Sequence, residues 1–305
     1  MTVPKEEWRN MGPVPRKTVE ELCTLYELEP TVRDVFVEGA DDKAFLKWYL
    51  EQRGASGVSV FEIDAVELPP ECVIDADCED GRRGRVIAFG IVLNESLQGA
   101  SRECPTLVCD ADTDNTLGGR SLPEFVVCTD FSCLEMYLFN ESTFAKLMNV
   151  VLKGCSVPPS QALQELSAVL VRLWIIKTAN HEEQMAMTWM PFDGCCRVNS
   201  GSIAFDESEF IKRYLQKNGQ QWQEDRFRGA MQRIEQKCRA DARHQINGHH
   251  MMTLTRKYMQ SVASDKAALV TEGAFVRCLY GCAVESELDG SSMFSTVLQR
   301  VMSGR

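Results

Sequence analysis

The sequence predicts an α/β protein, a largely parallel sheet flanked by helices, followed by a mainly α-helical C-terminal region. Three observations predict it. Between residues 31 and 140, short runs rich in Val, Phe and Ile alternate with stretches of helical period, the order that builds β-α-β units. Acidic residues directly follow several of those runs, as expected where functional loops leave the carboxyl ends of parallel strands. From about residue 141 onward the apolar spacing turns helical.

Each element follows in turn. Residues 1–30 form a polar lead with one short helix over 18–28 (TVEELCTLYEL), placed for Thr18 to cap it and with acids in its first turns. Residues 34–37 (DVFV) read as a strand. Glu38 and Gly39 come next, the glycine permitting a sharp turn, and a helix spans 41–52 until Gly54. A second strand covers 58–63, a buried helix 85–97, a third strand 106–109 (TLVC), and a fourth 125–128 (FVVC) leading to a helix over 133–139. The C-terminal half carries helical periods over 160–176, 206–217, 221–246, 251–261 and 272–284. A loop or small hairpin interrupts them near 185–204, where Pro191, Gly194 and Gly201 fall. The domains expected are therefore the lead 1–30, an α/β domain 31–140 and a helical domain 141–305.

The chain has 305 residues, 44% apolar and 25% charged, an ordinary globular balance with room for two cores. Pro4, Pro13 and Pro15 break the polar start, and no run approaches the roughly 20 apolar residues of a membrane span. The reading is a cytoplasmic protein with no membrane contact. Thirteen cysteines, odd in number and without a C-x-x-C pair, read as reduced thiols rather than a disulfide scaffold or a zinc site. A net charge of -11 excludes indiscriminate binding to nucleic acid, which rests on phosphate neutralisation. Any such contact must be local.

The chemistry concentrates in the acids. Glu38 follows one predicted strand, and Asp110, Asp112 and Asp114 follow another. In an extended segment alternate side chains share a face, so the three aspartates would converge. Carboxylates that close repel unless a cation neutralises them, and hard oxygen donors suit Mg2+ or Mn2+. Such a site would activate water and stabilise a leaving oxygen in phosphodiester hydrolysis, with Glu38 as general base or ligand. Asp42, Asp130 and Glu135 are supporting candidates. Asp42 also reads as an ordinary acid at a helix start, and Ser132 with Glu135 fits a capping box.

The succession VFVEGADD (35–42), LVCDADTD (107–114) and CTDFSCLEMYLF (128–139) resembles the Toprim fold shared by topoisomerases, primases and overcoming-lysogenization-defect nucleases. More specifically it resembles the Toprim effectors paired with ABC-type ATPases in PARIS-type phage defence. The resemblance covers residues 31–140. It implies a magnesium-dependent nuclease whose metals are held by Glu38, Asp110 and Asp112, with Asp114 extending the motif so that either it or Asp112 is the second aspartate ligand. It also implies RNA, specifically transfer RNA, as substrate, and an ABC-type ATPase partner that holds the nuclease silent until infection.

Substrate phosphates need cations. Residues 226–257 hold eight Lys and Arg residues against Glu235 and Asp241, and Arg239, Arg243 and Lys257 are the candidates there, with His249 and His250 at a helix start. Arg82, Arg83 and Arg85 form a second cluster. The ordinary alternative for charged helices is a solvated face. Trp174, Trp189 and Trp222 would anchor a partner or fill the core, and self-association is compatible with the sequence. Two other functions remain open. DTDNTL (112–117) matches D-x-D-x-T-L of haloacid-dehalogenase-type phosphatases, with Asp112 as nucleophile, and a non-catalytic partner-binding protein would leave the acids inert.

Overall fold

Four short runs, two of them buried at every residue, build the parallel sheet of the computed structural model, which describes residues 16–55 and 57–303. Residues 1–15, most of the polar lead with Pro4, Pro13 and Pro15, lie outside the described residues. In chain order the elements are β1 (Lys17–Thr18), α1 (Val19–Leu28), β2 (Asp34–Val37), α2 (Ala40–Gln52), β3 (Ser59–Glu62), β4 (Val66–Glu67), α3 (Pro70–Asp75), α4 (Arg82–Ser96), β5 (Pro105–Cys109), α5 (Asp114–Leu117) and β6 (Val126–Cys128). The helical region follows: α6 (Glu141–Lys146), α7 (Pro159–Glu182), the hairpin β7 (Cys196–Asn199) and β8 (Ser202–Phe205), α8 (Glu207–Lys217), α9 (Glu224–Glu235), α10 (Gly248–Val262), α11 (Glu272–Gly281), α12 (Glu285–Asp289) and α13 (Ser292–Met302).

The chain forms two units. The first comprises Met1–Cys109, Ser121–Cys128 and Ser292–Arg305; the second comprises Asp110–Arg120 and Thr129–Ser291. In the first unit the strand order is β3-β2-β5-β6, all parallel. Successive side chains alternate between faces. Phe36, Leu107 and Cys109 face a core with α1 and α4, where Phe36 lies edge-on to Phe89 at 5.1 Å between centroids. Tyr49 of α2 and Phe294 of α13 pack edge-on at 4.6 Å, and both helices contact strands of the sheet. Arg300 of α13 donates to the Arg102 and Pro105 carbonyls at 3.1 and 3.2 Å, clamping the last helix to the start of β5. The one buried acid of β2, Asp34, accepts from the Tyr26 hydroxyl at 3.1 Å.

The second unit is helical around α7, a 24-residue helix that begins with proline at its first position, where the missing N–H has no intrahelical partner to lose. The expected break near 185–204 contains the antiparallel pair β7–β8. Its two central residues, Ser200 and Gly201, both have positive φ, as a tight hairpin turn requires. Among the described residues no helix is long and apolar enough to cross a membrane.

Several local expectations change. The N-cap expected of Thr18 forms, and the structure adds the reciprocal bond of a capping box, with Glu21 N–H donating to Thr18 Oγ1 at 3.2 Å and Thr18 N–H to Glu21 Oε2 at 2.9 Å. The helix expected over 133–139 is instead a 3-10 turn, Leu134–Leu138. The long helix expected over 221–246 stops at Glu235, and a separate turn, Ala242–Gln245, follows, started by Asp241 accepting from the Arg243 N–H. The helix expected over 272–284 stops at Gly281. Gly39 has φ -138°, an extended conformation open to any residue, so the turn after Glu38 does not depend on glycine.

Candidate active site

In the first unit β2 sends its following helix toward β3 on one side, while β5 connects toward β6 on the other. The carboxyl ends of β2 and β5 therefore form a topological switch point, the place where open parallel sheets bind ligands. Glu38 is the residue after β2, and the register Phe36 to Leu107 puts it level with Cys109 at the end of β5. The Cys109 thiol is pushed up by its hydrogen bond with Cys128, by burial and by the Glu38 charge, while Arg83 pulls it down. Glu38 and Arg83 thus both act on the same strand end. Arg82 and Arg85 are committed to Asp64, at 2.9 and 2.6 Å, and Arg85 also donates to the Val66 carbonyl. Asp42 accepts from the Gly39 N–H at 2.9 Å, the helix-start role its position predicts.

In the second unit, residues 110–117 do not continue as an extended strand. Asp112 has φ +48° and Asp114 opens α5, so the alternation expected to bring three aspartates to one face is broken by the left-handed residue. Asparagine and aspartate tolerate that region best among non-glycine residues, yet such conformations cost on the order of 1–3 kcal/mol and concentrate at functional loops. Specific bonds hold the loop. Asp110 Oδ1 accepts from Leu134 N–H at 3.1 Å, Ala111 N–H donates to Thr129 Oγ1 at 2.9 Å, and Asp112 N–H donates to the Ser132 carbonyl at 2.7 Å. The Tyr137 hydroxyl donates to Asp130 Oδ2 at 2.9 Å and accepts from the Asp130 N–H at 2.8 Å.

Ser132 and Glu135 do not form the expected capping box. The Ser132 N–H donates to the Arg243 carbonyl at 3.1 Å and its hydroxyl faces the carbonyls of Arg243 and Ile246; Cys133 takes the cap position without a side-chain bond. Glu135 turns instead to the N-terminus of α10. A Cβ placed on Gly248 would lie 2.6 Å from Glu135 Cδ and 2.9 Å from Cys133 Sγ, and the positive end of a 15-residue helix suits a carboxylate. Burial, then the charges of Glu135 and Asp110, push the Cys133 thiol up, so those two carboxylates share one neighbour.

The basic segment divides. Acids at the C-terminal end of α7 cancel much of it: Arg226 and Arg233 pair with Glu183, the residue after the helix, and Lys237 with Glu182 at 3.6 Å. Lys257 pairs with Asp193 at 3.0 Å and donates to the Cys196 carbonyl. Residues 241–246, by contrast, are fastened to the acidic loops. Besides the Ser132 bonds, the Gln245 side-chain amide meets Thr116 Oγ1 at 3.0 Å. The Arg243 guanidinium lies 3.8 Å from the Phe131 ring centroid and is bidentate with Asp241. Burial and then the Arg239 charge hold the His244 imidazole below its usual range, with Asp130 pulling the other way. Arg239 and His249 are exposed. Phe131 and Thr129 were not singled out by the sequence, and Ser132 only as a helix cap; their roles depend on partners more than 100 residues away or on backbone groups that carry no sequence signal.

His250 is a core residue. Its ring stacks on Trp189 at 4.9 Å and meets Phe192 edge-on at 5.7 Å, and Nδ1 is buried without a hydrogen-bond partner. Burial, helped by Lys177 and His249, pushes its pKa down from 6.5 to about 3. The ring is neutral at ordinary pH and offers no charge to a phosphate. As pH falls the unfolded chain binds this proton first, so the stability His250 permits above pH 6.5 drains away between 6.5 and about 3. Denaturant midpoints measured across that window should fall less steeply in His250→Phe than in the parent; parallel curves would remove the assignment. Of the tryptophans, Trp174 is buried and Trp222 is 80% exposed.

No family model matches the chain, and no curated protein matches it either. Among the described residues no group of three or more His, Cys, Asp and Glu side chains is arranged as a metal cage. The donors at the strand ends are hard carboxylates, and Mg2+ characteristically takes only one or two of these, completing its shell with water and substrate phosphate. The donor chemistry fits that ion.

Proposed function

We propose that the chain is a Toprim-type nuclease that depends on Mg2+ or Mn2+ and hydrolyses phosphodiester bonds of RNA. The observation that carries the reading is the topological switch point: two neighbouring parallel strands each run out into an acid, Glu38 after β2 and Asp110 after β5. Glu38, Asp110 and Asp112 would hold the metal, with Asp114 as the alternative to Asp112. Once bound, the metal supplies activated water and stabilises the leaving oxygen. Glu38 is the candidate base for that water. Asp110 is aimed by the Leu134 N–H, and Arg239 and His249, which flank the 241–246 segment tied to the acidic loops, are the candidates that would receive substrate phosphates.

Transfer RNA as the substrate, an ABC-type ATPase as the restraining partner, a place in phage defence and a cytoplasmic location extend the same proposal by resemblance. A phosphatase with Asp112 as nucleophile would need that residue directly after a strand, whereas Asp112 stands three residues past the end of β5. Purified protein incubated with total RNA and with plasmid, with and without Mg2+, should cut RNA only when the metal is present. Cleavage in excess EDTA, or no cleavage of either nucleic acid, would overturn the proposal.

A further inference from the structure

Two cysteines stand in register at the ends of adjacent strands. Cys109 and Cys128 are paired Cα partners, the last residues of β5 and β6, and their Sγ atoms are 3.5 Å apart. Each is also the last residue of its segment in the first unit before the chain passes into Asp110 or Thr129. Register partners in a parallel ladder point to the same face, and neighbouring strands lie about 4.8 Å apart, inside the roughly 4.4–6.8 Å between Cα atoms that a disulfide spans. Closing the remaining gap takes side-chain rotation and no change of register. Cys109 is 1% exposed, whereas Cys128 is half-buried, which gives the pair an accessible member and a sheltered one.

We propose that Cys109 and Cys128 form a thiol–disulfide exchange site whose co-reactant is a small organic disulfide. The accessible Cys128 sulfur attacks one sulfur of that disulfide, forming a mixed disulfide and releasing the first small thiol. Cys109 then attacks Cys128 Sγ, forming the Cys109–Cys128 bond and expelling the second small thiol. Two protein thiols are oxidised, the small disulfide is reduced to two thiols, and the protein thiol protons leave with them. The buried member makes the second step intramolecular, so the mixed disulfide does not persist. This inference is independent of the nuclease reading, since it needs only the β5–β6 ladder.

The full-length reduced protein is treated with oxidised glutathione, its remaining thiols are alkylated, and its tryptic peptides are mapped by mass spectrometry. The expected product joins the peptide 103–120 to the peptide 121–146. Each holds two cysteines, Cys104 with Cys109 and Cys128 with Cys133, so fragmentation must place the bond on Cys109 and Cys128. The link should persist in Cys104→Ser and Cys133→Ser and disappear in Cys128→Ser. A link through other cysteines, a stable glutathione adduct on Cys128, or full alkylation of both thiols after oxidation would overturn the proposal.

Discussion

Asp110→Asn should lower Mg2+-dependent RNA cleavage at least ~10²-fold, the scale on which one charge-stabilising group at a reacting centre acts, while leaving the unfolding transition where it is. The separation follows from the two jobs of one carboxylate. Its charge is required for the metal, but its Oδ1 also accepts from the Leu134 N–H at 3.1 Å. An asparagine keeps an Oδ1 acceptor and loses the charge. Asp110→Ala loses both, stranding the amide of buried Leu134, and should cost about 1–3 kcal/mol of stability besides activity. Calorimetric titration of Mn2+ into the two variants and the parent, beside thermal unfolding, separates these terms. Full cleavage by Asp110→Asn would remove Asp110 from the site.

Gly90→Ala should destabilise the first unit by about 1–2 kcal/mol, although alanine is the better helix former. Gly90 is buried in α4, and a Cβ there would overlap Val126 Cγ2 and come within 3.5 Å of Leu107 Cδ2. Val126 is β-branched and stiff at χ1, and it sits in a strand of the sheet, so neither side yields cheaply. The glycine thus sets how closely α4 approaches β5 and β6. Adding Val126→Ala should recover part of the loss, because the overlapping methyl is then gone. A rise in the unfolding midpoint of Gly90→Ala alone would show that α4 has room to shift.

Strands β2 and β5 were legible because burial on both faces demands apolar runs, and in DVFV and TLVC the only polar residues, Asp34 and Thr106, open the run. Thr18 announced its helix because a capping box is local. What depended on distant partners was not legible. Nothing near residues 226–237 reveals that Glu182 and Glu183 neutralise those cations. Nothing around Ser132 shows that its hydroxyl serves the 243–246 segment rather than its own turn. The short helix α3 was missed because Pro69 and Pro70 mark a break as readily as a helix start. The acids stand out in the sequence by type and order, but the extended geometry inferred for them fails at Asp112, whose positive φ goes with the loop that holds it. The return of α13 to the first unit rests on Arg300 reaching backbone carbonyls, a contact no periodicity encodes.

The central claim is that carboxylates at the ends of β2 and β5 carry metal-dependent cleavage of RNA. Glu38→Gln tests it most directly, because the substitution removes one charge at nearly constant shape and leaves the apolar strand before it intact. Parent and variant are compared side by side on labelled RNA over a Mg2+ titration, with unfolding curves to verify the fold. The expected result is cleavage by the parent that rises with Mg2+ and background levels throughout for Glu38→Gln. Equal cleavage by both proteins at every Mg2+ concentration would contradict the account.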